Sequence, residues 1–200
     1  VSPVLAILAA ERPVEVHRLA IELLRHLTRR SSREEPLVAL DPTTPVLRNL
    51  QRYPTDAAIL RQAGGALANL GERVAIQIAA HALCGNLLSA CRGAGEDEDI
   101  VDSFCMIFSR TCDKARSADA CDRLERLVLP AALEAATRFT RSELRIAADT
   151  CRAVRRVCDW DGGGHVMAAL RAGAVDFFLR LVNDNDGGRA IPAATELTNA

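Results

Sequence analysis

The sequence lacks an apolar stretch long enough to cross a bilayer, and it lacks an excess of charge of either sign. Its 25 basic and 26 acidic side chains leave a formal net charge of −1. A membrane-spanning helix needs roughly 20 apolar residues, and proteins that bind nucleic acids or membrane surfaces carry a strong basic excess. We therefore expect a soluble protein, cytoplasmic or nuclear, without membrane insertion or direct nucleic-acid binding.

Motifs for metal binding and nucleophilic catalysis are also missing. None of the seven cysteines lies in a CxxC pair, the four histidines show no HExxH spacing, and no GxSxG segment occurs. These patterns are typical of zinc sites and serine hydrolases. An odd number of cysteines without paired spacing also favours a reducing compartment over a disulfide framework. The sequence thus predicts neither an enzyme nor a bound metal or cofactor.

Most of the cysteines are spaced seven residues apart, as in Cys105 and Cys112 or Cys151 and Cys158. This spacing places two side chains on one face of a helix, two turns apart. Metal ligands on a single helix normally lie three or four residues apart, so we expect these cysteines to be small buried hydrophobic residues. Cys121 falls outside the pattern and is a candidate free thiol.

What the sequence does contain is an internal repeat of about 42 to 46 residues, a length typical of helical solenoids. The segment Arg61–Leu70 aligns with Arg18–Leu27 and with Arg145–Val154, and weaker copies occur at Ser103–Cys112 and at the end of the chain. A small residue is followed by two larger ones at matching places in the strongest copies. These triads are Ala20, Leu24 and Leu27; Ala63, Leu67 and Leu70; and Ala147, Cys151 and Val154.

Spacings of three and four residues between apolar positions predict helices throughout, so the expected fold class is all-α. A shorter apolar helix is expected before each copy, at Val4–Leu8, Val46–Leu50, Leu83–Leu88, Leu129–Ala136 and Val175–Val182. Segments rich in glycine and charged residues are expected to be turns between helices. They are Arg29–Glu35, Arg92–Asp99, Asp159–Gly164 and Asn183–Gly188.

Two stretches, Arg171–Val182 and Gln62–Leu70, resemble the second and third helices of an armadillo repeat, with HEAT repeats as the alternative. The resemblance implies a right-handed armadillo-type α-α superhelix, with about three complete repeats and a partial repeat at each end. Residues 1–200 would form a single domain with repeat boundaries near 28–30, 71–73, 113–115, 159–161 and 187–189. Because the chain begins at Val1 and both end repeats are partial, we expect it to be part of a longer protein.

In this family the third helix of each repeat lines a concave groove that binds protein segments. Nuclear-import adaptors of the family place a Trp and, four residues later, an Asn on each groove helix. The positions that match the Trp are Glu22, Gly65, Ile107, Asp149 and Thr195, so the Trp is absent throughout, and the only tryptophan, Trp160, lies between helices. The positions that match the Asn are His26, Asn69, Thr111, Ala153 and Asn199.

The same alignment places two rows of arginines on the groove helices. Arginine's planar guanidinium suits carboxylates, so we expect a scaffold or adaptor that holds an extended, acidic protein segment. The candidate binding residues are Arg18, Arg25, His26, Arg61, Asn69, Arg110, Arg145, Arg152 and Asn199. The alternatives are an import adaptor that binds basic peptides, with Asn69 and Asn199, and a passive structural component of a large assembly.

Overall fold

The computed structural model describes residues 1–30, 40–80, 85–140 and 144–185, and these residues form helices joined by turns, without a β-strand. The all-α class predicted from the sequence is confirmed. Within these ranges, no helix has both the length and the apolar character to span a membrane. The α-helices are α1 (Ser2–Ala9), α2 (Val14–Arg30), α3 (Thr43–Arg52), α4 (Ala57–Asn69), α5 (Gly71–Ala80), α6 (Asn86–Gly93), α7 (Glu98–Lys114), α8 (Ala118–Arg123), α9 (Leu129–Thr137), α10 (Leu144–Asp159), α11 (Val166–Arg171) and α12 (Ala174–Asn185). A π-helical turn (Leu124–Val128) joins α8 to α9, and a 3-10 turn (Trp160–Gly162) follows α10.

Two of the longer helices begin with the same cap. Asp56 precedes α4 and accepts a hydrogen bond from the backbone N–H of Ile59 at 3.1 Å. Asp97 precedes α7 and accepts one from the backbone N–H of Ile100 at 3.2 Å. An aspartate at this position satisfies an amide that the first helical turn leaves unpaired. The prediction that Arg92–Asp99 is entirely a turn is therefore wrong at both ends, because Arg92 and Gly93 belong to α6 and Asp97 caps a helix whose first turn includes Asp99.

The helices contact one another at the interval of the sequence repeat. The longer helices touch in succession, α2 with α4, α4 with α7, and α7 with α10. The shorter ones do the same, α1 with α3, α3 with α6, α6 with α9, and α9 with α12. The apolar triads lie in the shared core, where Ala63, Leu67 and Leu70 are fully buried. Each of these helices thus buries apolar surface against the helix that lies about one repeat length further along the chain.

Buried asparagines add hydrogen bonds between the shorter helices. The side-chain amide of Asn49 in α3 donates to the Leu8 carbonyl in the last turn of α1 at 2.9 Å. The amide of Asn86 in α6 donates to the Leu47 carbonyl of α3 at 2.7 Å. Because carbonyls in the last turn of a helix have no partner within it, the bond from Asn49 also completes the end of α1.

The sequence misplaced some helix boundaries. In the described residues helix α6 runs from Asn86, and its predicted start at Leu83 lies outside them. Asn183 and Asn185 were predicted in a turn but belong to the last turn of α12, where the Asn185 amide donates to the Leu181 carbonyl and to the Thr140 carbonyl beyond α9. These bonds satisfy the polar Asn185 side chain in the last turn of α12. The predicted repeat boundaries remain a prediction.

Most of the cysteines are buried, as their spacing predicts. Cys91, Cys105, Cys112 and Cys151 lie in the core, and Cys158 is half-buried. Cys121 is also buried and has a free thiol. Cys84 lies outside the described residues.

Candidate protein-interaction surface

The solvent-facing sides of the longer helices carry all of the predicted arginines. We call this surface the arginine face and define it by six residues of α2, α4, α7 and α10. All six are exposed or half-buried, and five of them bond to a neighbouring longer helix or to its cap. They are Arg18, Arg25, Arg61, Arg110, Arg145 and Arg152.

Two of these arginines bind the aspartate caps of the next longer helix. Arg18 donates to the Asp56 carboxylate through Nε at 3.0 Å and through Nη2 at 2.8 Å, while Arg61 donates to Asp97. Burial acts to raise the pKa of Asp56, but Arg18 and the N–H of Ile59 hold it below its usual value. Each cap carboxylate thus binds the N-terminus of its own helix and a guanidinium of the preceding longer helix.

Two more arginines of this surface lie on α10, and each is paired with a carboxylate, one of α7 and one of α10 itself. Arg145 lies 3.5 Å from the Asp102 carboxylate of α7, and Arg152 lies 2.5 Å from Asp149. Burial raises the pKa of Asp149, and the negative charge of Asp102 adds to that effect, whereas Arg152 and Arg110 oppose it. Carboxylates of the chain therefore already partner four of the six arginines.

Arg25 and Arg110 differ from the other four, because their hydrogen-bond partners are neutral. Arg25 donates to the side-chain carbonyl of Gln62 at 3.0 Å, and Arg110 donates to the backbone carbonyl of Ala68 at 3.1 Å. Both acceptors lie on α4. Within the described part of the chain, neither guanidinium has a carboxylate at ion-pair distance. Arg25 and Arg110 thus approach α4 from its two neighbours, α2 and α7. Arg110 is close enough to Asp149 to lower the pKa of that carboxyl, but neither guanidinium forms an ion pair with a described residue.

Helix α4 accommodates Arg25 because it has no side chain at Gly65. A Cβ built on Gly65 would lie 2.4 Å from the Nε atom of Arg25. Any other residue at this position would displace the guanidinium. The glycine that matches a tryptophan of import adaptors therefore allows an arginine of α2 to lie across α4.

Asn69 lies at the end of α4, near the carbonyl that Arg110 contacts. Its side-chain amide points toward α2, where it lies 3.4 Å from the carbonyl of Arg25 and 3.3 Å from the hydroxyl of Thr28. We call Arg25, Gln62, Asn69 and Arg110 the central arginine site. Since the Asn69 amide donates within the chain, its side-chain oxygen is the group left for a ligand.

The remaining predicted residues do not join this site. His26 is exposed on α2, and its Nε2 atom lies 3.9 Å from the Glu22 carboxylate one turn before it. Asn199 lies outside the described residues. Thr111 and Ala153, which match the groove asparagine, are fully buried, and the Thr111 hydroxyl donates to the Ile107 carbonyl at 2.7 Å. In α7 and α10 these positions face the core, so they cannot contact a partner.

Sequence reasoning located the arginines but missed their partners. A signal for Asp56 and Asp97 was present, because each precedes an apolar helix by the spacing of an N-cap. Gln62 had no such signal, since its role depends on how α2 packs against α4. In the described ranges, no cluster of three or more His, Cys, Asp or Glu side chains could hold a metal ion.

The chain was compared with protein-family models, with curated proteins and with solved structures, and it matches none of them.

Proposed function

We propose that the chain is an armadillo-type, right-handed α-α superhelix whose longer helices line a common groove. The proposal is supported by the succession of contacts from α2 through α4 and α7 to α10, and by the parallel succession of the shorter helices. It is also supported by hydrogen bonds that join the successive shorter helices, such as those from Asn49 to Leu8 and from Asn86 to Leu47, 41 and 39 residues apart. In stacked repeats of this kind, the helices on the concave side provide an extended binding surface.

The function that this surface supports best is a protein-interaction scaffold that binds an extended, acidic segment. The observation that carries the proposal is that Arg25 and Arg110 approach α4 from opposite sides without carboxylate partners in the described residues. A carboxylate of the segment would replace a neutral acceptor by an ionised one, and charge-assisted hydrogen bonds are about twice as strong as neutral ones. The proposal assigns no catalytic step and needs no cofactor.

The other arginines of the arginine face have a different role in this proposal. For Arg18 or Arg61 to bind a ligand, each would first have to leave an aspartate that also caps a helix. Removing one partner of such a pair leaves a charge without compensation. We therefore assign Arg18 and Arg61 to the coupling of neighbouring units, and Arg25 and Arg110 to binding.

Fluorescence polarisation with a labelled glutamate-rich peptide tests the proposal. Arg25→Ala and Arg110→Ala should each weaken binding by roughly tenfold or more, since a hydrogen bond to a charged group contributes about 1.5–3 kcal/mol. Arg61→Ala is the matched control, because it removes an arginine of the same face that is already paired, and it should change the affinity much less.

Three outcomes would contradict the proposal. Equal losses in Arg25→Ala, Arg110→Ala and Arg61→Ala would mean that the peptide responds only to overall charge. Tighter binding of a lysine-rich peptide would favour an import adaptor, although the Asn69 amide that such an adaptor would use already donates within the chain. If neither peptide bound at all, a passive structural role in a large assembly would explain the protein better than a scaffold for an acidic segment.

A further inference from the structure

A second feature of the molecule is a cavity of about 370 Å³ where α7 and α10 end. Its walls include Asp113 and Lys114 from the end of α7, Arg116 from the turn that follows, and Arg156, Asp159 and Trp160 from the end of α10 and the turn after it. None of these residues belongs to the central arginine site, so the inference below does not rest on the proposed function.

The charged side chains at this cavity differ in whether they have an ion-pair partner. Arg156 bonds the Asp113 carboxylate, and Arg155 lies 3.9 Å from Asp159. Arg116 is exposed and donates only to the carbonyl of its neighbour Ala115, at 2.9 Å, with no carboxylate of the described residues at ion-pair distance. A guanidinium has five N–H donors in a planar fork. Several donors of Arg116 therefore remain for a ligand.

The total charge of the cavity indicates how much negative charge it can accept. Asp113 is paired with Arg156 and Asp159 with Arg155, so Arg116 supplies one positive charge that has no carboxylate at ion-pair distance in the described residues. The carboxyl-terminal ends of α7 and α10 also lie here, and the end of a helix carries partial negative charge. A single carboxylate would neutralise this cavity, whereas a phosphate monoester, with about two negative charges, would exceed it.

Trp160 gives the cavity an apolar wall. It packs against the hydrophobic core, and its ring meets that of His165 edge-on with a centroid distance of 5.6 Å. Core packing and the histidine hold the indole in place, so it presents a fixed aromatic surface beside the charged groups. Aromatic side chains bind other aromatic or large apolar groups by stacking and by edge-to-face contact.

We propose that this cavity binds a carboxylate attached to an aromatic or large apolar group. The carboxylate accepts hydrogen bonds from Arg116, and the apolar group packs on Trp160. In a protein partner, this chemistry is found in a C-terminal aromatic residue, or in an aspartate or glutamate next to an aromatic residue.

Trp160 is the only tryptophan of the sequence, so the fluorescence of the intact chain reports on the cavity directly. The test titrates the protein with N-acetyl-phenylalanine, with its amide N-acetyl-phenylalaninamide, and with phenyl phosphate. We expect N-acetyl-phenylalanine to change the emission of Trp160 in a saturable way, and the two other probes to bind at least roughly tenfold more weakly. The amide tests whether the ligand needs a negative charge, and phenyl phosphate tests whether one negative charge is preferred to about two.

Two arginine variants connect the signal to the cavity. Arg116→Ala should weaken the binding of N-acetyl-phenylalanine by roughly tenfold. Arg180→Ala is the control, because Arg180 is exposed on α12 outside the cavity lining, and it should bind as the wild type does. Equal binding of acid and amide, tighter binding of phenyl phosphate, or an unchanged affinity in Arg116→Ala would each overturn the proposal.

Two peptides then separate the possible protein sources of the carboxylate. One ends in phenylalanine with a free carboxylate, and the other contains an internal Glu-Phe pair and has an amidated end. A change of Trp160 emission with one peptide alone identifies a terminal or a side-chain carboxylate as the ligand. If neither peptide changes the emission at concentrations at which N-acetyl-phenylalanine does, the proposal that the ligand is a carboxylate of a protein partner is wrong.

Discussion

Gly93 at the end of α6 lies directly against the backbone of Pro54, in the turn between α3 and α4. A Cβ built on Gly93 would be 1.6 Å from the Pro54 carbonyl oxygen. Backbone atoms cannot move aside as the end of a flexible side chain can, so an added methyl group would force the two units apart. A substitution at Gly93 therefore tests how closely the end of α6 packs against the turn between α3 and α4.

Gly93→Ala should therefore destabilise the protein by about 2 kcal/mol or more, in spite of the better helix propensity of alanine. Urea unfolding followed by circular dichroism measures the change. Gly164→Ala is the control, since a Cβ there would have its nearest neighbours at 3.7 and 3.8 Å, in ordinary contact. If the two variants were equally stable, the described contact between Gly93 and Pro54 would be wrong.

The cap at Asp97 offers a test of how units are coupled. Asp97→Ala removes both the helix cap and the partner of Arg61, and it should cost about 1–2 kcal/mol. Asp97→Asn keeps the cap and should cost less. In a double-mutant cycle with Arg61→Ala, we expect a coupling energy of a few tenths to 1 kcal/mol that decreases with added salt, because the Arg61 side chain is 45% exposed. A coupling energy of zero at low salt would mean that the pair does not link α4 to α7.

The stability of the protein should depend on the protonation of His165. Its Nδ1 atom bonds the Glu125 carboxylate, and its Nε2 atom lies 3.4 Å from Asp161. The bond to Glu125 raises the pKa of His165 above 6.5 although burial opposes it, and Asp161 adds to the rise. The protonated ring therefore stabilises the fold fully below the unfolded pKa of 6.5, and this contribution is lost as the pH rises through the folded pKa.

Urea unfolding at a series of pH values on both sides of 6.5, for the wild type and for His165→Gln, measures this effect. The difference in unfolding free energy should be largest at the acidic end and should shrink toward alkaline pH. Glu125→Gln is the control, since it removes the main cause of the pKa rise and should flatten the dependence. A difference that grows with pH would contradict the described contacts of His165.

The buried cysteines should be inert in the folded protein. Burial raises the pKa of Cys105 to about 12 and that of Cys112 well above its ordinary value. The reactive thiolate is therefore scarce at neutral pH, and the sulfur atoms are also shielded. Alkylation by iodoacetamide, read by mass spectrometry, should modify the half-buried Cys158 before these two. Rapid modification of Cys105 without denaturant would show that α7 is not packed as described.

The core of this fold could be predicted from the sequence because it depends on local spacing. The triad Ala63, Leu67 and Leu70 repeats along the chain, and a spacing of three and four residues places such residues on one buried helical face. The short helices α5, α8 and α11 were not predicted, because they lie outside the two series of recurring segments from which the other helices were identified. The end of α12 was missed because Asn183 and Asn185 are more typical of turns than of helices.

The candidate site was only partly predictable for a different reason. The sequence shows where Arg25 and Arg61 lie on their helices, but not which acceptors face them from the next helix. Only the packing of α2 on α4 and of α4 on α7 distinguishes an arginine paired with Asp97 from one bonded to the neutral Gln62. The choice of binding residues among the arginines therefore depends on tertiary contacts.

Reversing the two unpaired charges tests the central claim most directly. The double variant Arg25→Glu/Arg110→Glu keeps the exposed surface charged but inverts its sign at the central arginine site. The measurement is the ratio of the dissociation constants of a glutamate-rich and a lysine-rich peptide of equal length, with an Arg18→Glu/Arg61→Glu variant matched in net charge. We predict that the preference changes from the acidic to the basic peptide in the first variant and changes less in the second. An unaltered preference for the acidic peptide in Arg25→Glu/Arg110→Glu would contradict the account.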